Sequence, residues 1–523
     1  MAQMRKKTSS QRKKETDRHA EKTASGTAVK TEGAGAGAGK DTAAKAAPKE
    51  EIPKKKILFV TAEASPFAHT GGLGEVAAAL PKALNRKRSA PIDCRVIMPL
   101  YRQVSEVFRA KMEYLGSCEI SVAWRRMYMG VFQLRYQGVT YYFIDNEYYF
   151  GRDAMYGHYD DCERFTFFSK AVFESMAFTG FSPDIIHAND WQTALVPVYQ
   201  TALYKKEFVK TVFTVHNVEY QGSYNHVVMG DIIDIPQEYA HLVEMGDSVN
   251  LMKGGIEAAN AFTTVSPSYA EELKDPANAF GLDEIVRRNA FKLRGILNGI
   301  DTGIYNPEKD TMLPANYTAT DRQGKKACKT ALQGTLGLPV CDAPLLVMIS
   351  RLVAAKGTGL VVQTMDGILD NLGCQFVLLG TGDLVYEEFF RGLQARHPDK
   401  AVCMIEFNTE KSHRLYAAAD MLLMPSRSEA CGLAQMISCR YGTVPIVREV
   451  GGLKDSIKDC TLGDGSGFVF SDFSAATFYN VVAGAIARYG DRENWEKLVE
   501  HDMHLDFGWG HAANEYLDMY NSL

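Results

Sequence analysis

Arg351 and Lys356 stand close together just past the apolar run Leu345–Ile349, in Ser350-Arg351-Leu352-Val353-Ala354-Ala355-Lys356-Gly357. Two fixed cations beyond a strand end suit a diphosphate, because Arg forks onto two oxygens and Lys adds a point charge. If a diphosphate leaves, such charges stabilise it as negative charge develops. Glu429 lies in a second segment, Pro425-Ser426-Arg427-Ser428-Glu429-Ala430-Cys431-Gly432-Leu433, after Met421–Met424. Its carboxylate can accept from sugar hydroxyls or balance positive charge on a sugar carbon; it can equally be a helix-start carboxylate answering the dipole. Gly432 and Leu433 would open the helix whose N–H groups face phosphate oxygens. Cys431 beside them reads as a small buried residue.

The first half carries its own glycine loop, Phe67-Ala68-His69-Thr70-Gly71-Gly72-Leu73-Gly74-Glu75, after Ile57–Ala62. Glycines between strand and helix let the backbone approach a ligand closely. His69, Gly71 and Gly72 are therefore donor-side candidates. Gly451-Gly452-Leu453 repeats the Gly-Gly-Leu in the other half, as a binding loop or a plain turn. His187-Ala188-Asn189-Asp190-Trp191 ends a further strand. His187 could donate to a sugar hydroxyl, although a lone histidine is more often structural. Asp160, ahead of Asp161-Cys162-Glu163-Arg164-Phe165, could orient an acceptor or cap the following helix. Asn217, after Thr214-Val215-His216, is open to the same two readings; Asn217 and Trp191 are candidates for the sugar and acceptor side.

These residues need two scaffolds. Candidate strands in the first half are Lys56–Ala62, Cys94–Pro99, Val139–Ile144, Asp184–Ala188, Thr211–Val215 and Ala261–Val265. A second series comprises Leu345–Ile349, Gln375–Leu379, Ala401–Glu406, Met421–Met424, Val444–Val447 and Gly467–Phe470. Helical stretches such as Gly74–Arg88 and Phe165–Phe178 lie between them. Short apolar strands alternating with helices indicate parallel sheets covered on both faces. Each series predicts a doubly wound α/β domain with its binding crevice at the carboxyl ends of the strands. The hinge is expected within Phe291–Asp310, around Asn298-Gly299. Pro81 is expected to kink or break the first helix. The expected domains are 55–295, 296–490, and a helical segment 491–523 that crosses back or does not.

Composition bounds the function. The chain has 523 residues, 46% hydrophobic and 23% charged, enough for two domains of roughly 200 residues plus a tail. Residues 1–50 hold twelve Lys and Arg against six Asp and Glu, and the remainder is acidic enough to bring the net charge to −5. An acidic body argues against nucleic acid as substrate. Residues 1–54 are rich in Ala, Gly, Thr and Lys and read as a disordered basic tail or a tether. No apolar run is long enough to span a membrane, and no signal peptide is recognisable. The ten cysteines lack paired spacing and read as reduced thiols, so a cytoplasmic location without bound metal is expected. The oligomeric state stays open.

Taken in order from about Lys55 to about residue 510, these segments resemble bacterial and plant-type glycogen or starch synthases. The resemblance rests on Ile57–Glu63, Thr70-Gly71-Gly72-Leu73, Asp160–Phe165, His187–Trp191, Thr214–Asn217, Val265–Tyr269, Leu297–Asp301, Ser350–Gly357, Pro425–Leu433 and Tyr441–Leu453. It implies the GT-B fold, two Rossmann-like domains facing a central cleft. It also implies transfer of glucose from ADP-glucose to the non-reducing end of an α-1,4-glucan, with retention and with no metal or other cofactor. Carried over by motif, Arg351 and Lys356 hold the diphosphate, Glu429 contacts the transferred glucose, His187 and Asp160 line the acceptor and glucose side, and Phe407 stacks on adenine. The implied chemistry is front-face displacement, with a donor phosphate oxygen drawing the acceptor proton.

The chain departs from the family pattern at His69, where Lys is usual, and at Ala430, where Pro is frequent. A histidine loses its charge near its unperturbed pKa of roughly 6.5, so donor affinity is expected to fall above about pH 7. Two other readings share these features. One is a UDP-glucose-using or sucrose-type retaining transferase; the other is a non-catalytic glucan-binding homologue that lost turnover through His69.

Overall fold

A computed structural model of the chain describes residues 54–87 and 91–523. The basic tail lies outside the described residues. A nine-stranded sheet runs, edge to edge, through Leu293–Gly295, Ala261–Thr264, Lys210–Val215, Ile185–Asn189, Lys55–Val60, Ile92–Pro99, Val139–Asp145, Arg125–Tyr136 and Glu113–Val122. The first seven are parallel, and the last two join antiparallel. A six-stranded parallel sheet follows, ordered Ala401–Met404, Gln375–Leu379, Leu345–Ile349, Met421–Met424, Val444–Arg448 and Phe468–Phe470. A small antiparallel sheet of Ser223–Asn225, Ser248–Asn250 and Glu244–Met245 decorates the first half.

The inner parallel strands are mostly apolar and buried on both faces, as helix-covered sheets require, whereas the edge strands Leu293–Gly295 and Ala401–Met404 are only partly covered. The expected strands form, with ends shifted by one or two residues. The hairpin of Glu113–Val122 and Arg125–Tyr136 is an addition that the apolar-run criterion missed. It alternates buried Met129 and Val131 with polar residues such as Arg126 and Ser117, so no continuous apolar run marks it.

The helix Gly72–Arg86 buries Leu73, Val76, Ala77, Leu80 and Leu84 along one face, the i, i+3, i+4 stripe of a core-facing helix. The break expected at Pro81 does not occur: Pro81 is buried within one continuous helix. Its missing N–H leaves only the Ala77 carbonyl without its usual donor, and the packed face holds the turn together.

In each large sheet the chain reverses its winding at one strand. Lys55–Val60 lies between Ile92–Pro99 and Ile185–Asn189, and Leu345–Ile349 lies between Gln375–Leu379 and Met421–Met424. Crevices open at the carboxyl ends of such strands. The first is followed by the Thr70-Gly71-Gly72 loop and the second by Arg351 and Lys356.

The chain passes between the sheets at Leu297–Asp301 and returns beside that crossing. Ile300 N–H donates to the Phe507 carbonyl at 2.8 Å. A Cβ on Gly299 would sit 2.8 Å from the Gly508 carbonyl carbon, so only glycine fits there. The last helix, Gly510–Asn521, packs on the first half. Lys55 Nζ donates to the Tyr520 carbonyl at 2.7 Å and Lys87 Nζ to the Gly510 carbonyl at 3.0 Å.

Candidate active site

The two glycine loops meet. A Cβ built on Gly72 would lie 4.0 Å from Leu433 Cδ1, which puts the first-half loop in contact range of the second-half loop. Gly71 and Gly72 are exposed. On the second-half wall, Lys356 Nζ donates to Glu429 Oε1 and Oε2, both at 2.7 Å, and Ser426 Oγ donates to Glu429 Oε2 at 3.0 Å. Gly357 makes this approach possible. Its φ is +70°, and a Cβ there would fall 1.8 Å from the Pro425 carbonyl oxygen. Arg427 and Ser428 N–H groups complete the seam by donating to the Ala355 carbonyl. Arg351 is exposed at the mouth, and among the described residues its guanidinium makes no hydrogen bond.

Gly451 and Gly452, expected as a loop or turn, instead open the helix Gly451–Ser456, which packs against this wall. Cβ atoms at these positions would lie 1.9 Å from the Glu429 carbonyl oxygen and 2.3 Å from that of Cys431. The Cys431 thiol is buried and burial pushes its pKa up to about 12, so it stays a neutral packing group. Gly432 has φ +72° and leads into Leu433, the residue before helix Ala434–Arg440. Phe407, on the loop after Ala401–Met404, is 77% exposed and leaves its ring uncovered.

Across the gap, His69 Nε2 lies 3.9 Å from Glu75 Oε1. Asp160 is gripped by Arg152 in a two-pronged pair at 2.5 and 2.6 Å. Burial alone would raise the Asp160 carboxyl, but Arg152 outweighs it and holds the group below the usual carboxylate range. Asp160 therefore does not cap the helix Asp161–Glu174 with its side chain. Asn217 is half-buried; its Oδ1 accepts from Glu219 N–H at 3.0 Å and its own N–H donates to Asp190.

Two expected site residues do not reach the cleft. His187 is fully buried within its strand. Its Nδ1 is bonded to Tyr520 Oη at 2.7 Å and its Nε2 to Thr214 Oγ1 at 2.6 Å. Burial drives its pKa down to about 3, so the ring is neutral and spent on the core. The terminal helix, distant in sequence, supplies the tyrosine that covers it. Trp191 is likewise buried, edge-on to Phe165 with centroids 5.2 Å apart. A Cβ on Gly222 would come within 2.6 Å of its Cε3, so neither ring face is free for a sugar.

Comparisons with known proteins give the same arrangement a family. The model for the starch synthase catalytic domain matches residues 56–288, and that for glycosyl transferases group 1 matches 339–501. The chain is 43% identical over 477 residues to a glycogen synthase of Ligilactobacillus salivarius, covering 90% of this chain and all of the relative. It is 41% identical over 478 residues to one of Clostridium botulinum, covering 90% and 99%. The chain belongs to the glycogen and starch synthase family of glycosyltransferases. Its fold is GT-B: the catalytic domain of starch synthase IV from Arabidopsis thaliana, solved bound to ADP and acarbose, superposes with a TM-score of 0.84 at 34% identity, covering 90% of this chain and 99% of that one. A sucrose-phosphate synthase from Thermosynechococcus elongatus shares the fold alone, at 17% identity and a TM-score of 0.57.

Within this glycosyltransferase, two carboxylates escaped the motif reading. Glu63 is buried and accepts from Thr70 N–H at 2.7 Å, Thr70 Oγ1 at 2.8 Å, Gly71 N–H at 3.2 Å and Tyr156 Oη at 2.8 Å. It thereby fixes the glycine loop and ties it to the segment leading into Asp160. Asp190 sits at φ +57° and accepts from the N–H groups of His216 and Asn217. A non-glycine residue at positive φ is strained and needs such compensation. The one signal available beforehand was that both carboxylates adjoin strand ends.

Proposed function

We propose that this chain transfers glucose from ADP-glucose to the non-reducing end of an α-1,4-glucan with retention of configuration. The observation that carries the reading is the approach of Gly72 to Leu433 across a gap walled by Lys356, Arg351 and Glu429. The starch synthase IV relative, bound to ADP and acarbose, supports a nucleotide donor and a glucan-like acceptor. In this reading residues 55–295 form the acceptor lobe, 296–490 the donor lobe, and 491–523 return to the first lobe.

The donor diphosphate would lie between the exposed glycine loop and the cations. The acceptor hydroxyl oxygen bonds to the glucose C1 as the bond from C1 to the phosphate oxygen breaks on the same face. The hydroxyl proton passes to the departing phosphate, so no protein base is needed. Lys356 and Arg351 stabilise the charge gathered on the leaving group. Glu429 orients Lys356 and accepts from a glucose hydroxyl. Asp160, kept ionised by Arg152, accepts from a hydroxyl on the opposite side. Phe407 offers its open ring to adenine. Closing the lobes excludes water, which otherwise hydrolyses the donor. Reduced thiols, all ten cysteines being free, suit a cytoplasmic site of action. Among the described residues no helix is long and apolar enough to cross a membrane.

The test is incubation with glycogen and radiolabelled ADP-glucose or UDP-glucose. Incorporation from ADP-glucose well above UDP-glucose is expected. Preference for UDP-glucose would overturn the donor, and transfer from neither would leave a glucan-binding homologue.

A further inference from the structure

Beside Asp160 the surface carries aromatic rings that the proposed chemistry does not use. Tyr159, Trp124 and Tyr148 are 94%, 74% and 61% exposed. Large open rings are costly in water, and rings held in one place bind with little further loss of freedom.

Trp124 and Tyr148 are so held. Trp124, in the turn of the edge hairpin, donates Nε1–H to Asp231 Oδ1 at 2.8 Å. The Arg125 guanidinium lies 4.4 Å from its ring centroid. Arg125 also pairs with Asp231 at 3.0 Å and with Glu163 at 3.1 Å. Glu163 accepts from Tyr149 Oη, and the Tyr149 ring packs edge-on to Tyr148 with centroids 5.2 Å apart. The Arg152 guanidinium lies 5.6 Å from the Tyr148 ring centroid, and its Nε donates to the Tyr148 carbonyl at 3.1 Å. Arg152 in turn grips Asp160, whose chain neighbour is Tyr159. An unbroken series of contacts thus joins Trp124 to Asp160.

We propose that Trp124, Tyr148 and Tyr159 form a docking track for the body of the glucan acceptor, leading outward from Asp160. This rests on the transfer reaction proposed above. Arg125 and Arg152, the cations within this series of contacts, are already paired with carboxylates, which suits an uncharged polymer rather than a charged partner. Sugar rings present a C–H face that packs on an aromatic ring and hydroxyls that bond to carboxylates and guanidinium groups. Continuity with Asp160 places the far part of a chain on the track when its end is in the cleft.

The experiment uses the full chain and the variants Trp124→Ala, Tyr159→Ala, their double variant, and Phe208→Ala as an exposed aromatic off the track. Glycogen affinity is read without donor by retardation in glycogen-containing native gels, and KM for glycogen and for maltotriose by transfer assay. The double variant should bind glycogen about tenfold more weakly, equivalent to about 1.4 kcal/mol. Trp124→Ala should raise KM for glycogen more than KM for maltotriose, and Phe208→Ala should match the parent. Unchanged retardation in the double variant, or equal loss in Phe208→Ala, would overturn the track, including in favour of a protein partner for these rings. If the parent protein is retarded by glycogen yet transfers from no donor, the transfer reading fails and the track stands.

Discussion

Lys356 Nζ stands 2.7 Å from each carboxylate oxygen of Glu429, joining the loop after Leu345–Ile349 to the loop after Met421–Met424. The two strands are hydrogen-bonded neighbours at the switch point of the second sheet. The pair is therefore positioned by the sheet itself rather than by a mobile segment. Gly357 is required for it, since any side chain would collide with the Pro425 carbonyl.

Because each partner orients the other, their losses should not add. Glu429→Gln and Lys356→Ala should each lower kcat by about 10²-fold or more. The double variant should be no more than about tenfold worse than the poorer single, as expected for groups that act as a unit. Saturating-donor kinetics on the four proteins measure this; strictly multiplicative losses would contradict it.

Glu63 predicts a different signature. Glu63→Gln keeps the shape but replaces one acceptor oxygen with a donor that faces other donors. Leaving such buried groups unpaired costs about 1–3 kcal/mol. Donor KM should rise about tenfold, in keeping with that cost, with thermal stability reduced. Tyr156→Phe, which removes one of the four bonds, should show a smaller effect of the same kind. Donor kinetics and thermal melts check both.

How far these residues were legible beforehand differs with the physics that places them. Leu345–Ile349 and Met421–Met424 announced themselves because strands buried on both faces need unbroken apolar runs. The hairpin Glu113–Val122 with Arg125–Tyr136 did not, because one face meets water. The strand-end positions of Arg351, Lys356 and Glu429 were legible because strand-end loops are local in sequence. His187 was misplaced because its partner Tyr520 arrives from the far end of the chain. Trp191 was misplaced because Gly222 and Phe165 close over it from other elements. Glu63 was missed because only the folded loop shows which N–H groups its carboxylate accepts.

His69 marks one departure from the family pattern. Its ring nitrogen faces Glu75 at 3.9 Å near the exposed glycines. His69→Lys puts a longer, cationic side chain beside the donor loop and should lower donor KM severalfold at fixed pH while changing kcat less. An unchanged donor KM would show that His69 does not face the donor.

His187 gives a pH dependence of stability with a definite sign. Its folded pKa is pulled by burial to about 3, below the unfolded value of roughly 6.5. Between these values the unfolded chain binds a proton that the folded chain does not. The contribution is complete above pH 6.5 and is lost as pH falls toward 3, at about 1.4 kcal/mol per unit. His216 shifts in the same direction by burial. Urea titrations at pH 7 and pH 5.5 should show the stability margin of the parent over His187→Gln narrowing at the lower pH, a comparison in which the opposite contribution of Asp190, raised by burial to about 7, cancels.

In the proposed reaction the second-half cations stabilise the departing diphosphate. The direct measurement is the rate of glucose transfer from saturating ADP-glucose to glycogen by the Arg351→Ala/Lys356→Ala double variant, with folding confirmed by circular dichroism. A loss of about 10³-fold or more in kcat is expected. A folded double variant that elongates glycogen at the parent rate would contradict it.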